Sequence, residues 1–388
     1  MTKICVFTST RADYGILTPL IERLEKESGF ELRLFVTGTH LLEEHGQTVQ
    51  EIISQGFKPY YQIKIDMNDS SEVSHLGIMG NSLVRFAKAL AQDKPDVAVI
   101  LGDRYEALSF AIACNGLGIP LVHLHGGEVT EGALDEAYRH CITKLSYIHF
   151  VASSRYRERV LSLGEAPDRV HDVGALGVDN IKKIPLLSKE ELEASLGITL
   201  QERVIAVTYH PETLNPEKDR EQVAALLTVL DEKIKEGNTT VVFTRANADH
   251  GNEEIHKAID SFVSHHPKTT AYVYSLGMKR YLSLLNLASV VAGNSSSGII
   301  EAPALGTPTV NIGDRQKGRE MAASVFNVDG KSNEIAKAMD AALKFKQENG
   351  ARSFSVYGSG NAADKMMNIL QRIEFKSFPK KMFFDYKI

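Results

Sequence analysis

Cysteine is scarce in this 388-residue chain: Cys5, Cys114 and Cys141 are its only three. None stands in a C-x-x-C spacing, which excludes a disulfide framework and fits a reducing compartment. No apolar run approaches the roughly 20 residues that span a bilayer. The N-terminus, Met-Thr-Lys-Ile-Cys-Val-Phe, passes straight into an expected strand without a secretory signal. These absences predict a cytoplasmic protein with no membrane partner. A basic surplus is missing too: 44 Lys and Arg against 49 Asp and Glu leave a net charge of -5, which argues against a nucleic-acid partner. Neither a low-complexity segment, an internal repeat nor a G-x-G-x-x-G fingerprint occurs.

What is present is an ordinary globular composition, 43% hydrophobic and 24% charged, in a chain long enough for two domains. Apolar runs at Ile4–Phe7, Glu31–Val36, Asp96–Leu101, Ile119–Leu124 and Ile148–Ala152 read as strands, continuous in hydrophobicity as strands covered on both faces are. Helical spacing separates them, as in Ile16, Leu20, Ile21 and Leu24, with Pro19 expected in a first turn. The segment from Met67 to Asn81 reads as a mobile loop before a helix at Ser82–Ala91. The pattern weakens between Gly164 and Leu196, where the interdomain crossing is expected. It restarts with strands at Val204–Thr208, Thr240–Phe243, Ala271–Tyr274, Val290–Ala292, Thr309–Ile312 and Val325–Val328, and helices between them. Strand–helix alternation throughout predicts doubly wound parallel sheets, whose strand ends carry ligands.

The charged residues collect at those ends. Ser9 to Gly15 forms a strand–loop–helix junction that suits an anion, or an ordinary loop with a surface Arg11. Asp103 follows Gly102 as a helix cap or a catalyst, and Arg104 beside it suits phosphate. His123 and His125, two apart, are expected on one strand face. No partner pair with ligand spacing completes a metal site, so neither metal nor cofactor is expected. Gly126-Gly127 permits close backbone approach to a ligand, and Glu128 follows. Asp135, Glu136, Arg139 and His140 form two i,i+4 pairs, either helix-stabilising contacts or, with Asp103, an acid/base set. In the second half His210 ends a strand before Pro211, and Thr244 to Asp249 ends the next with polar residues. Gly293-Asn294-Ser295-Ser296-Ser297-Gly298 opens a helix with donors for phosphate, Glu301 suits ribose hydroxyls, and Gly313 to Glu320 adds a basic loop.

Seven motifs stand in order over most of the chain: Thr-Arg-Ala-Asp-Tyr (10–14), Gly-Asp-Arg (102–104), Gly-Gly-Glu (126–128), Asp-Glu-x-x-Arg-His (135–140), His-Pro (210–211), Gly-Asn-Ser-Ser (293–296) and Arg-Gln-x-Gly-Arg-Glu (315–320). Together they make the chain resemble the UDP-N-acetylglucosamine 2-epimerases, above all the hydrolysing branch that makes N-acetylmannosamine for sialic-acid pathways. The resemblance implies an α/β GT-B fold: two Rossmann-like doubly wound parallel-sheet domains with an interdomain cleft. Residues 1–172 are expected to carry the sugar and catalytic carboxylates, residues 173–365 the UDP site, and residues 366–388 a packed tail. In such enzymes a base removes the C2 proton as UDP leaves C1, and water adds to the glycal. The implied partners are a UDP-sugar, UDP as product and further copies of the chain in a dimer or tetramer. By motif, Asp103 and Asp135 resemble the acid/base residues and His210 a catalytic or phosphate-side group. Arg11 and Arg104 resemble diphosphate ligands, joined by Asp13 and Arg139 around the substrate. Ser295, Ser296, Glu301 and Arg315, with Asn247 and Asp249, resemble UDP contacts.

One departure stands out. Some family members carry His-x-Glu-Gly-Gly-Glu where this chain has His125, so a catalytic role falls to His125, Glu128 or Glu136, or the substrate differs. UDP-diacetylbacillosamine 2-epimerases share the scaffold and act on a sugar with an acetamido group at C4 and a methyl at C5. A GT-B glycosyltransferase is the alternative of a different class.

Overall fold

Alternating core residues along each central strand show why the apolar runs are continuous. In β1 (Thr2–Thr8), Ile4 and Val6 enter one core while Cys5 and Phe7 enter another on the opposite face. A computed structural model describes residues 1–43, 46–65, 74–130, 135–210, 216–245, 253–274, 276–377 and 381–386. β1 heads a seven-stranded sheet with β2 (Phe30–Thr37), β3 (Pro59–Ile63), β4 (Val97–Leu101), β5 (Leu121–Leu124), β6 (Ile148–Val151) and β7 (Val170–Asp172). Its order is β3-β2-β1-β4-β5-β6-β7, with every pairing parallel. A second sheet contains β8 (Arg203–Thr208), β9 (Thr239–Thr244), β10 (Thr270–Val273), β11 (Val290–Gly293), β12 (Thr309–Ile312) and β13 (Val325–Val328). Its order, β10-β9-β8-β11-β12-β13, is again all parallel. Ile205 and Val207 enter one of its cores, Val204 and Ala206 the other. Both units are Rossmann-like, with a topological switch point beside the first strand of each.

The chain divides into a first unit of Met1–Glu128, Leu134–Asn180 and Tyr357–Ile388 and a second of Val129–Ala133 and Ile181–Val356. The crossing thus falls at Asn180, later than the 172/173 expected, because helix Leu176–Lys183 begins with residues buried in the first core. The chain also returns to the first unit at Tyr357, ahead of the expected limit at 365. Helix Ala362–Leu370 packs Ala362, Met366 and Leu370 into that core, and Asp179 accepts Ala362 N at 2.9 Å and Ala363 N at 2.8 Å at its start. The tail adds Phe375 to the same core.

Other local differences have identifiable causes. Pro19 lies well inside helix Arg11–Lys26, not in a first turn. A proline there removes the N–H that would bond the carbonyl four residues back, and Asn180 Nδ2 donates to that Gly15 carbonyl at 2.9 Å instead. Of the loop expected at 67–81, residues 67–73 lie outside the described residues. The rest is helical from Ser74, with Ile78 buried at helical spacing from Ser82 and Phe86. β3 went unread because it alternates at a sheet edge, Pro59 and Tyr61 buried, Tyr60 and Gln62 exposed.

Candidate active site

In the first unit the strand order reverses between β1 and β4, so the loops after them flank the position where such sheets bind ligands. The loop after β1 is closed by its own carboxylate. Thr10 caps helix Arg11–Lys26 by accepting Asp13 N at 3.3 Å, while the Asp13 carboxylate accepts Ser9 N at 3.0 Å and Thr10 N at 3.1 Å, a capping box. Thr8 Oγ1 donates to the same carboxylate at 2.5 Å. These backbone donors, read in the sequence as an anion site, face Asp13. Arg11 stays exposed, 3.9 Å from Glu51.

After β4, Gly102 turns the chain at φ 80° and releases Asp103 and Arg104. The Arg104 guanidinium donates to Glu106 at 3.1 and 3.2 Å, and Glu106 is fully buried. Asp103 forms an ion pair with Arg139, 36 residues on, in helix Asp135–Leu145. Arg139 is itself buried, donates to the His125 carbonyl at 3.2 Å and stands 3.9 Å from Glu128. One guanidinium thus gathers the loops after β4 and β5. Of the two i,i+4 pairs expected, Glu136 and His140 meet at 3.0 Å, whereas Arg139 bonds Asp103 and the His125 carbonyl. Asp135 is close enough to feel these charges. Burial first, then repulsion from Asp103, raise its carboxyl to about 6 against the pull of Arg104.

His123 and His125 do not share a strand face. His123 is fully buried, its Nε2 2.8 Å from Gly102 O and its Nδ1 3.1 Å from Thr143 Oγ1, and burial lowers it to about 3. It is a neutral bolt between β5, the turn after β4 and helix Asp135–Leu145. His125 lies past the strand end with φ 63°, a left-handed conformation rare outside glycine. Its Nδ1 is 2.6 Å from Glu128 Oε1, a contact that orients the ring. That Nε2 is buried and has no hydrogen-bond partner among the described residues. The glycines that follow pack closely against the protein. A Cβ at Gly126 would press on the His123 ring and Thr143, and one at Gly127, with φ 77°, would strike the Tyr156 carbonyl at 2.5 Å.

The second unit repeats the arrangement at the switch point between β8 and β11. Asn294 accepts His210 N at 2.7 Å and donates Nδ2 to His210 O at 2.7 Å, a reciprocal clasp between the two loops. Gly293, at φ 129°, leaves no room for a Cβ, which would collide with the Thr208 carbonyl. Burial, with Arg315 nearby, lowers His210 to about 3, so its ring is neutral. Arg315 Nη1 at 3.1 Å and Gln316 Nε2 at 2.8 Å both donate to Asn294 O, tying the basic loop after β12 to this turn. Ser295 caps a single 3-10 turn, Ser296–Gly298, and Glu301 starts a four-residue helix, shorter than the Ile299–Leu305 stretch anticipated. Asn247 and Asp249 lie outside the described residues.

Two supports were without a role in the sequence reading. Glu106 holds Arg104; its signal was a carboxylate among Ala, Leu, Ser and Phe in a helix with no polar face. Tyr281 lies near Ser297, Thr208 and Ser295, a long-range set with no local signature. Among the described residues no His, Cys, Asp and Glu group has the geometry of a metal site, and no helix is long and apolar enough to cross a membrane. The first unit therefore offers carboxylates, an imidazole and buried guanidinium charge. The second offers a serine turn, a neutral histidine and a basic loop.

Known proteins share this organisation. A family model described as UDP-N-acetylglucosamine 2-epimerase matches residues 22–371. A GDP/UDP-N,N'-diacetylbacillosamine 2-epimerase (hydrolyzing) of Campylobacter jejuni is 38% identical over 347 residues, 89% of this chain and 89% of that protein. The polysialic acid biosynthesis protein P7 of Escherichia coli is 35% identical over 388 residues, 100% of this chain and 97% of that one. Among solved structures, the UDP-GlcNAc 2-epimerase of Neisseria meningitidis bound to UDP-GlcNAc superposes with a TM-score of 0.82 at 20% identity, covering 96% of this chain and 100% of that one. That likeness shows the fold, the two parallel-sheet domains of the GT-B class.

Proposed function

We propose, for a chain that belongs to the UDP-N-acetylglucosamine 2-epimerase family, the hydrolysing reaction: UDP-N-acetylglucosamine and water give N-acetylmannosamine and UDP, in nonulosonic (sialic) acid biosynthesis. The observation that carries it is the cluster of Asp103, Asp135, Arg139, His125 and Glu128 at one end of a parallel sheet. A C2 proton is weakly acidic, so its removal needs a positioned base, and loss of UDP needs charge and a proton near the leaving oxygen. Asp103, paired with Arg139, suits the base. Asp135, raised to about 6, suits the acid. His125, oriented by Glu128 and bonded through its carbonyl to Arg139, belongs to the same cluster, its Nε2 without a partner among the described residues, and Glu136 belongs to the same helix turn as Asp135. Arg11 and Arg104 take the diphosphate, with Asp13 shaping the first loop. Ser295, Ser296, Glu301 and Arg315, with Asn247 and Asp249, take UDP, and the His210–Asn294 clasp supports that turn. A cytoplasmic homo-oligomer, dimer or tetramer, belongs to the same proposal.

A second reading has UDP-N,N'-diacetylbacillosamine as substrate, and the 38% identical Campylobacter jejuni relative favours it. Both sugars, supplied side by side without an acceptor, test the proposal. Release of UDP with N-acetylmannosamine supports the first reading, and selective turnover of the diacetylated sugar the second. Turnover only when an acceptor is added would make the chain a glycosyltransferase.

A further inference from the structure

Helix Asp135–Leu145 carries Asp135, Glu136 and Arg139 near its start and ends in carbonyls that no helical N–H satisfies. The C-terminal tail supplies the missing donor. Lys381 Nζ lies 2.8 Å from Lys144 O, 2.6 Å from Ser146 O and 2.7 Å from Glu165 Oε2, with Thr143 O further off at 3.5 Å. Three short acceptors match the three N–H bonds of an ammonium, and a cation is favourable at a helix C-terminus. Glu165 is 1% exposed and also accepts from Lys144 at 2.6 Å and from His149 of β6 at 3.0 Å. Burial alone would raise this carboxyl, but His149, Lys144 and Lys381 outweigh it and hold it at about 2. One ionised carboxylate thus ties together the tail, the helix end and the sheet.

The neighbouring residues dock the tail further. The Phe383 ring covers Gly164 so closely that any Cβ there would collide with it. Lys144 Nζ is 5.0 Å from the centre of that ring, and Phe384 N donates to Gly164 O at 3.0 Å. Nothing in this attachment reaches Asp103 or Asp135 directly. It fixes the far end of the helix that presents Asp135 and Arg139.

We infer that Lys381 is a positioning residue: with Glu165 it clamps the end of helix Asp135–Leu145, so that the C-terminal tail sets how well Asp135 and Arg139 meet Asp103. The inference rests on the proposed role of these residues in the reaction. The test compares the full chain with Lys381→Met and Lys381→Arg, by amide hydrogen exchange over residues 135–145 without substrate and by steady-state turnover of the UDP-sugar. In Lys381→Met, exchange in the last helical turns rises roughly tenfold or more. Its kcat falls about tenfold, as slight misplacement of catalytic groups does, while KM and UDP affinity stay within about twofold. Lys381→Arg keeps the charge and retains most of both properties. Unchanged exchange in Lys381→Met overturns the clamp, and faster exchange with unchanged kcat overturns the positioning role. If Lys381→Met does not fold, Phe383→Ala, which loosens the tail and leaves the ammonium, is held to the same outcomes. A wild-type chain that turns over neither sugar refutes the proposed reaction and the positioning role with it, whereas the exchange data judge the clamp alone.

Discussion

Replacing Asp135 with asparagine should make the protein more stable as it makes the enzyme inactive. Burial and the neighbouring Asp103 raise the Asp135 carboxyl from 3.8 to about 6 in the folded chain. A raised acid binds its proton more tightly folded than unfolded, so the native state loses stability as pH climbs from about 4 to about 6 and recovers none above that. Two pKa units at about 1.4 kcal/mol each make the ionised side chain cost about 3 kcal/mol at pH 8. Asparagine is neutral at every pH and mimics the protonated acid. Asp135→Asn therefore gains about 3 kcal/mol over wild type at about pH 8, shrinking to about 1 kcal/mol near pH 4.5. For a domain of this size that is roughly 6–12 °C in Tm at the higher pH. Urea unfolding of both proteins at the two pH values measures it. A difference independent of pH, or a variant less stable at pH 8, would refute the environment described for Asp135.

Three further substitutions test separate parts of the account. Asp103→Asn should abolish turnover and leave UDP affinity, measured by calorimetry, within about twofold; near-wild-type activity would remove Asp103 from the base role. Gly293→Ala places a Cβ on the Thr208 carbonyl at φ 129° and should lower stability by at least about 1–3 kcal/mol, so an unchanged urea midpoint counts against that turn. Asn180→Leu strips the Gly15 carbonyl of its donor and should cost about 1–3 kcal/mol. Pro19→Ala in the same chain restores a backbone N–H and should recover most of it, whereas simple additivity of the two changes would sink the explanation of Pro19.

The parts legible in the sequence were those governed by local pattern. Strands buried on both faces announced themselves as unbroken apolar runs, and the switch-point loops after β1, β4, β8 and β11 could be found because each run ends in glycine or polar residues. What stayed hidden depends on partners far along the chain. Asp135 four residues before Arg139 predicted a helical pair, yet Arg139 bonds Asp103 because both are drawn into one buried cluster. His123 and His125 looked like strand neighbours until the left-handed turn at His125 sent the second ring toward Glu128. Pro19 is tolerated through Asn180, 161 residues later, and helix Asp135–Leu145 is closed by Lys381, more than 230 residues on. Periodicity and motif spacing carry no record of either contact.

The reaction proposed for this chain breaks the C2–H bond of a UDP-sugar and releases UDP by elimination. The direct measurement is mass and NMR analysis of the sugar released in deuterated water from whichever UDP-sugar is turned over. Free 2-epimerised sugar carrying deuterium at C2, together with UDP, is the expected outcome. Released sugar with its original hydrogen and configuration at C2 would contradict it.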